Sequence, residues 1–263
     1  MYTLLNDLSK NRFVLKYLTD FERQDILTRD MDKYEHYCQP FSVYERMYIA
    51  SLVASANFLL ASRKYSFLYK IEWVFAKSRE GIENNYPHTH DNIIVLPFDF
   101  AKKSFQNLLK TIVHEKVHIY QRYFTIRTNI LFFDYWGLTM HSYEKKDGQR
   151  SNPDINKTHY MYYDSVNKTH KISFMKYLPS ATSITHAKIV DEDVVRRKDS
   201  HSNEKDTTYS NEKDTTYFTL LKSNSYQNEH PNEVMACLLT DMIMTRKKHR
   251  PTEEWFTKVA SLH

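Results

Sequence analysis

Glycine is scarce in this sequence, with three residues among 263, far below the roughly 7% norm for proteins. Neither a G-x-G-x-x-G turn nor a G-x-x-x-x-G-K-[ST] loop can be written from it, so nucleotide-cradling chemistry of those two kinds is excluded. Cysteine is nearly absent too. Cys38 and Cys237 are the whole complement, too few for a disulfide-rich scaffold or a thiolate metal site, and they fit a reducing compartment. Long apolar runs are missing. The longest, Tyr48 to Ala61, is interrupted by Ser51, Ser55 and Asn57 and is too short to span a bilayer. The opening segment MYTLLNDLSKNRF carries no signal-peptide core. The expectation is an intracellular, cytoplasmic protein with no membrane association.

What is present is ordinary for a soluble globular chain: 41% hydrophobic and 26% charged residues, with a mild net charge of +5. The basic residues are scattered apart from Arg246-Lys247-Lys248-His249-Arg250. Such a run suits the C-terminal end of a helix; its other reading is contact with nucleic acid. Residues 202–209, SNEKDTTY, recur without change at 210–217. One eight-residue repeat is too short for a solenoid and reads as a duplication in a loop that tolerates length.

The pattern predicts a single α+β domain over 1–263. Residues 1–62 are helical, with a polar amphipathic stretch at Asp20 to Asp32 and a helix capped by Ser42 running to Ser62. Residues 63–135 hold a strand at Tyr65 to Lys77, a short strand at Ile93 to Leu96 and a helix from about Ala101 to Tyr123. Residues 136–228 are a β-rich insertion that includes a hairpin near 155–177, the repeat loop and a strand around Thr216 to Leu221. Residues 229–263 carry a helix from Pro231 to Thr245 and a last one capped by Thr252.

The chemistry is concentrated in His114-Glu115-Lys116-Val117-His118. Histidines four apart on a helix project from one face and can hold one metal ion. Glu115 stands beside them, placed to take a proton from a water on that metal. Zinc suits two neutral imidazoles and a carboxylate, which leave it partly uncompensated and able to acidify that water. At about 100° per residue from Phe105, the apolar side of this helix holds Leu108, Leu109, Ile112, Val113, Ile119 and Tyr120. The two histidines fall opposite, at about 180° and 220°. Lys116 lies within the apolar side and must snorkel or find a buried carboxylate. The plain alternative is an exposed polar face with no ligand.

A third ligand is required. Gln121 and Phe124 stand where a metzincin would have glycine and histidine, which excludes that class. The preferred candidate is Glu233, in the first turn of a helix opened by Pro231, with Ala236, Cys237 and Thr240 on its side to allow close approach. The competing reading is an acidic residue that merely favours a helix N-terminus; the rival ligand is Asp134. His114-Glu115-x-x-His118 followed by Asn232-Glu233-x-x-Ala236 resembles the gluzincin branch of the zincin metallopeptidases. The resemblance implies an active-site helix packed on a small twisted sheet, zinc held by His114, His118 and Glu233, and Glu115 as general base. A looser set, comprising Pro87-His88-Thr89, the HEKVHIYQR segment, Arg150-x-Asn152-Pro153-Asp154 and His230-Pro231-x-Glu233, is similar to uncharacterised zinc peptidases of large DNA viruses, which would place the protein in host cytoplasm.

The chain departs from the gluzincin pattern in two ways. The gap between His118 and Glu233 is long, and Cys237 stands where an aspartate often orients a ligand histidine. Asp154 and Asp241 are candidates to replace that aspartate. His230, adjoining Glu233, is the first choice for stabilising an oxyanion, ahead of Tyr160 and Tyr226. Pro87 to His90 precede a strand that could align an extended substrate by backbone pairing; His88 and His90 read either as residues at its rim or, the preferred reading, as plain loop residues. The resulting expectation is a zinc endopeptidase acting on a protein or peptide. The alternatives are a non-catalytic zincin-like binding protein, against which the intact Glu115 argues, and a nucleic-acid-associated zinc protease.

Overall fold

The computed structural model describes residues 1–6, 37–141, 146–155, 158–194, 217, 220 and 230–260. Residues 1–62, expected as helical, include two short strands, β1 (Tyr2–Leu5) and β2 (Cys38–Gln39), ahead of helix α1 (Val43–Ser62); both are extended because they pair with the strand at Trp73–Ser78. Ser42 caps α1 as its sequence implies. Its hydroxyl accepts from the Glu45 N–H at 3.2 Å, and the Glu45 carboxylate accepts from the Ser42 N–H at 2.7 Å, so two open donors are satisfied reciprocally.

The aromatic run 65–77, expected as one strand, divides into a helical turn α2 (Ser66–Tyr69) and strand β3 (Trp73–Ser78). The reason is where the side chains go. Phe67 and Leu68 are adjacent, yet both enter the same core, which a strand with alternating faces does not allow. In β3 the alternation is kept: Trp73 and Phe75 join that core, and Val74 and Ala76 join a smaller cluster on the opposite face of the sheet. The break between them is held by Lys116. Its ammonium donates to the Ile71 and Glu72 carbonyls, both at 2.6 Å, and lies 4.1 Å from the Trp73 ring centroid. The buried lysine thus finds carbonyls and a π face rather than a carboxylate.

Strands β4 (His88–His90) and β5 (Ile93–Leu96) complete a five-stranded sheet in the order β1-β3-β5-β4, with β2 paired to the far end of β3. β1, β3 and β5 are parallel, and β4 runs antiparallel to β5 at an edge, with Thr89 opposite Ile94. Helix α3 (Phe105–Tyr123) begins later than expected, because Ser104 is its cap and residues 100–102 form a separate 3₁₀ turn. Its Leu108, Leu109, Ile112, Val113 and Ile119 share one core with Ile94, Leu96 and the buried side of α1.

Helix α4 (Thr125–Ile130) and a π turn follow. A second, antiparallel sheet then runs β6-β7-β8-β9: β6 (Thr139–His141), β7 (His159–Asp164), β8 (Thr169–Tyr177) and β9 (Ala187–Asp193). The expected hairpin is β7–β8, pairing Met161 with Ile172. This sheet is fastened to the helical body by Tyr160 and Tyr162, which enter the main core; Tyr160 packs on Phe132 and Phe133. Helix α5 (Pro231–Thr245) has the expected bounds, and α6 (Arg250–Trp255) starts two residues before Thr252, with His249 as its cap.

The architecture is α+β, with helices covering one face of a mixed sheet. The stretch 20–32 lies outside the described residues, as does the tandem repeat apart from Tyr217. Of the strand expected at 216–221, Tyr217 and Leu220 are described; both are buried and helical rather than extended. No helix among the described residues is long and apolar enough to cross a membrane.

Candidate metal centre

Two helices meet at the histidines. α3 presents His114 and His118 from successive turns, with their Nε2 atoms 3.0 Å apart. α5 opens with Pro231, whose fixed φ suits the first helical position, and this puts Glu233 in the first turn facing them. One Glu233 oxygen, Oε2, lies 3.5 Å from each histidine Nε2. A tetrahedral ion with nitrogen and oxygen ligands at about 2.0–2.2 Å separates them by about 3.3–3.5 Å. The two edges to Glu233 match that length and the edge between the histidines is shorter, at 3.0 Å; with the three atoms this close, His114, His118 and Glu233 could hold one metal ion. The rival ligand, Asp134, is exposed on the π turn and has no place in this cluster. The face of α3 opposite the sheet is not simply open: His118 is fully buried beneath α5, and His114 alone of the pair reaches the cleft.

The outer contacts orient the donors. His118 Nδ1 lies 3.0 Å from Gln121 Oε1, and the Gln121 amide donates to the Asn232 carbonyl at 2.8 Å. Gln121 can only accept through that oxygen, so His118 keeps a proton on Nδ1 and leaves Nε2 to face the cluster. His114 Nδ1 faces Cys237 Sγ at 3.9 Å, so a thiol, a weak acceptor, occupies the place of the missing aspartate. Neither Asp154 nor Asp241, the expected substitutes, performs that task. Asp154 accepts from Thr89, and Asp241 pairs with Lys110 at 2.9 Å. Sequence spacing by itself marks Gln121 only as a departure from the metzincin pattern. The signal that would have found it is its i+3 position after His118 on the same helix.

Charge organises the cluster. Burial would push His114 down, but the Cys237 thiol and the Glu233 carboxylate outweigh it and hold the imidazole well above its usual range. Burial likewise opposes, and Glu233 overrides, at His118. Glu233 itself is held well below the carboxylate range by the two histidines despite its burial. A metal must therefore displace protons, and its uptake is coupled to pH.

Glu115 is different. It lines the cleft, and its Oε2 has no hydrogen-bond partner among the described residues. Burial, reinforced by the charge of Asp154, raises it to about 8 against the pull of His114 and His118. The folded chain therefore keeps a proton that the unfolded chain releases above 4.5. The expected result for metal-free protein is that this group's contribution to stability falls as pH rises from 4.5 to about 8, by at most about 1.4 kcal/mol per unit. Urea unfolding of the wild type against Glu115→Gln across that window isolates it; parallel curves would refute it.

The cleft, with a volume of about 620 Å³, runs from His114, Glu115 and Glu233 along α3 past Thr111 and Asn107 to Lys103. Arg150 to Asp154 and residues of the second sheet form the facing wall. Two expectations fail here. His230 is not an oxyanion donor: it caps α5 by accepting from the Asn232 N–H through Nδ1, and its Nε2 donates to the Thr158 carbonyl at 2.8 Å, so both nitrogens are engaged away from the cleft. Burial depresses it to about 4, consistent with a neutral cap. Tyr160 is a core residue whose hydroxyl donates to Asn129, and Tyr226 lies outside the described residues.

The second failure concerns strand β4. His88 and His90 are strand residues, both buried and both in contact with the Tyr37 hydroxyl; His88 also lines the cleft. The outward edge of β4 is already used by the protein. The Thr89 N–H donates to Asp154 at 2.6 Å, Arg122 donates to the Thr89 and Asp91 carbonyls, and Pro87 has no N–H. The basic run begins at Arg246, the C-cap of α5, and none of its residues lines this cleft. No protein-family model matches the chain, and neither a curated protein nor a solved structure is detectably similar to it.

Proposed function

We propose that the chain is a zinc metallopeptidase of the zincin type, with a gluzincin-like ligand set of His114, His118 and Glu233. One observation carries this reading. Three ligand atoms converge to within 3.0–3.5 Å of one another, and beside them a buried carboxylate oxygen of Glu115 remains without a partner among the described residues, on the wall of the same cleft. Zinc is favoured over harder cations by the two imidazoles. When bound, it would supply a Lewis acid and lower the pKa of a water toward ~7.

The chain's own groups do the rest. Gln121 and Cys237 fix the two imidazoles, and Glu233 supplies the negative charge that keeps the site from rejecting a cation. Glu115 takes the proton of the attacking water and passes it to the leaving amine. A carboxyl raised by burial suits a group that must both accept and donate near neutrality. Along α3 the wall runs from Asn107 to Glu115, about 12 Å at 1.5 Å per residue. That length takes about four extended residues, which supports an endopeptidase. With β4 occupied at Thr89, cleft side chains rather than strand addition register the substrate.

Protein purified without chelators or a metal-affinity tag is expected to carry about one zinc per chain by elemental analysis. Near-zero content, with no uptake on titration, would remove the reading.

A further inference from the structure

The two oxygens of Glu233 have different partners. Oε2 faces the histidines, and Oε1 accepts a hydrogen bond from the Asn152 side-chain amide at 3.1 Å. Asn152 can present only its nitrogen there, because its own oxygen accepts from the Asp154 N–H at 2.9 Å. The segment that carries it is pinned from the other side. Asp154 Oδ1 accepts from both the N–H and the hydroxyl of Thr89, and Arg122 donates to the Pro153 carbonyl, to Thr89 Oγ1 and to the Asp91 carbonyl. Arg122 stands one turn beyond His118 on α3. One helix therefore supplies the two histidines, the Gln121 that orients one of them, and the anchor for the loop that reaches across to the third ligand.

We propose that Asn152 is the positioning residue for Glu233: it occupies Oε1, so that Glu233 meets a metal through Oε2 alone. This role rests on the metal-centre reading above and gives the loop Arg150–Asp154 a part in it. A carboxylate with both oxygens free can swing to bind a cation through two atoms, or turn away from it. Holding one oxygen with a neutral donor fixes the orientation and leaves the negative charge on the ligand intact. The same loop closes the free edge of β4, so one short segment sets both the carboxylate geometry and the boundary of the cleft.

The test uses the full chain with Zn2+ and Co2+ as probes. Asn152→Ala removes the donor, and Asn152→Asp keeps the shape while placing an acceptor against Oε1. Competition with a chromogenic chelator is expected to show zinc affinity falling ~10–100-fold in the first, in line with loss of an outer-shell partner, and further in the second. The Co2+ ligand-field spectrum is expected to shift as Glu233 changes its mode of binding, while the unfolding midpoint of metal-free Asn152→Ala stays near wild type. A purely structural role would move the midpoint and leave the spectrum alone. Wild-type affinity and an unchanged Co2+ spectrum in both variants would overturn the proposal. If the unaltered protein takes up neither metal, the metal centre itself falls, and this role with it.

Discussion

Replacing Glu233 with alanine is expected to reduce zinc affinity by well over the ~10–100-fold that an outer-shell loss causes, since two histidines and water would remain around the ion. The contrast with Asp134→Ala gives the result its meaning. Asp134 is exposed on the π turn, and a surface substitution of that kind stays within about 0.5 kcal/mol of wild-type stability, with zinc affinity unchanged. Both values follow from a chelator competition and a urea titration on the same preparations. In a metal-loaded crystal the Glu233 oxygen is expected at about 2.0–2.2 Å from zinc. Zinc retained at wild-type affinity in Glu233→Ala would reject the gluzincin ligand set even if the protein proved to be a zinc hydrolase of another kind.

Glu115→Gln separates chemistry from binding. The amide keeps the shape of the side chain and leaves all three ligand atoms in place, so zinc content is expected to stay at the wild-type level. Peptide hydrolysis is expected to fall by at least about 10²-fold, the usual cost of losing a general base. Because the proposed substrate contacts are made by cleft side chains, a broad library of unstructured peptides is the starting assay, with cleavage read by mass spectrometry. Activity that survives the change would take the base role from Glu115. Loss of zinc together with activity would show that Glu115 supports the metal site instead.

Much of the helical framework was legible in the sequence because its signals are local. The capping pair Ser42–Glu45, the proline at the start of α5 and the apolar stripe of α3 each act within one or two turns. The spacing of His114 and His118 is equally local, since helix geometry alone brings side chains four apart onto one face. The division of 65–77 was not legible. Its composition favours strand throughout, and only the demand that Phe67 and Leu68 enter one core makes the first part turn. The role of His230 is not legible for a related reason: adjacency to Glu233 in sequence says nothing of direction, and the ring points to Thr158 and back to its own helix.

By itself, then, the sequence determined the His114–Glu115–His118 constellation, the α+β class and the candidacy of Glu233, all through residue spacing and helix ends. Tertiary structure alone decided that Glu233 rather than Asp134 meets the histidines, since Glu233 lies 115 positions beyond His118 and no periodicity spans that interval. It also decided that Gln121 and Cys237 stand behind the two imidazoles, that Asn152 holds the far oxygen of Glu233, and that Arg122 and Asp154 fill the edge of β4. These are contacts between side chains whose partners lie on other elements. A polar atom buried at such a junction takes whichever donor or acceptor the packing brings within reach, and the packing is set by the whole core rather than by any one segment.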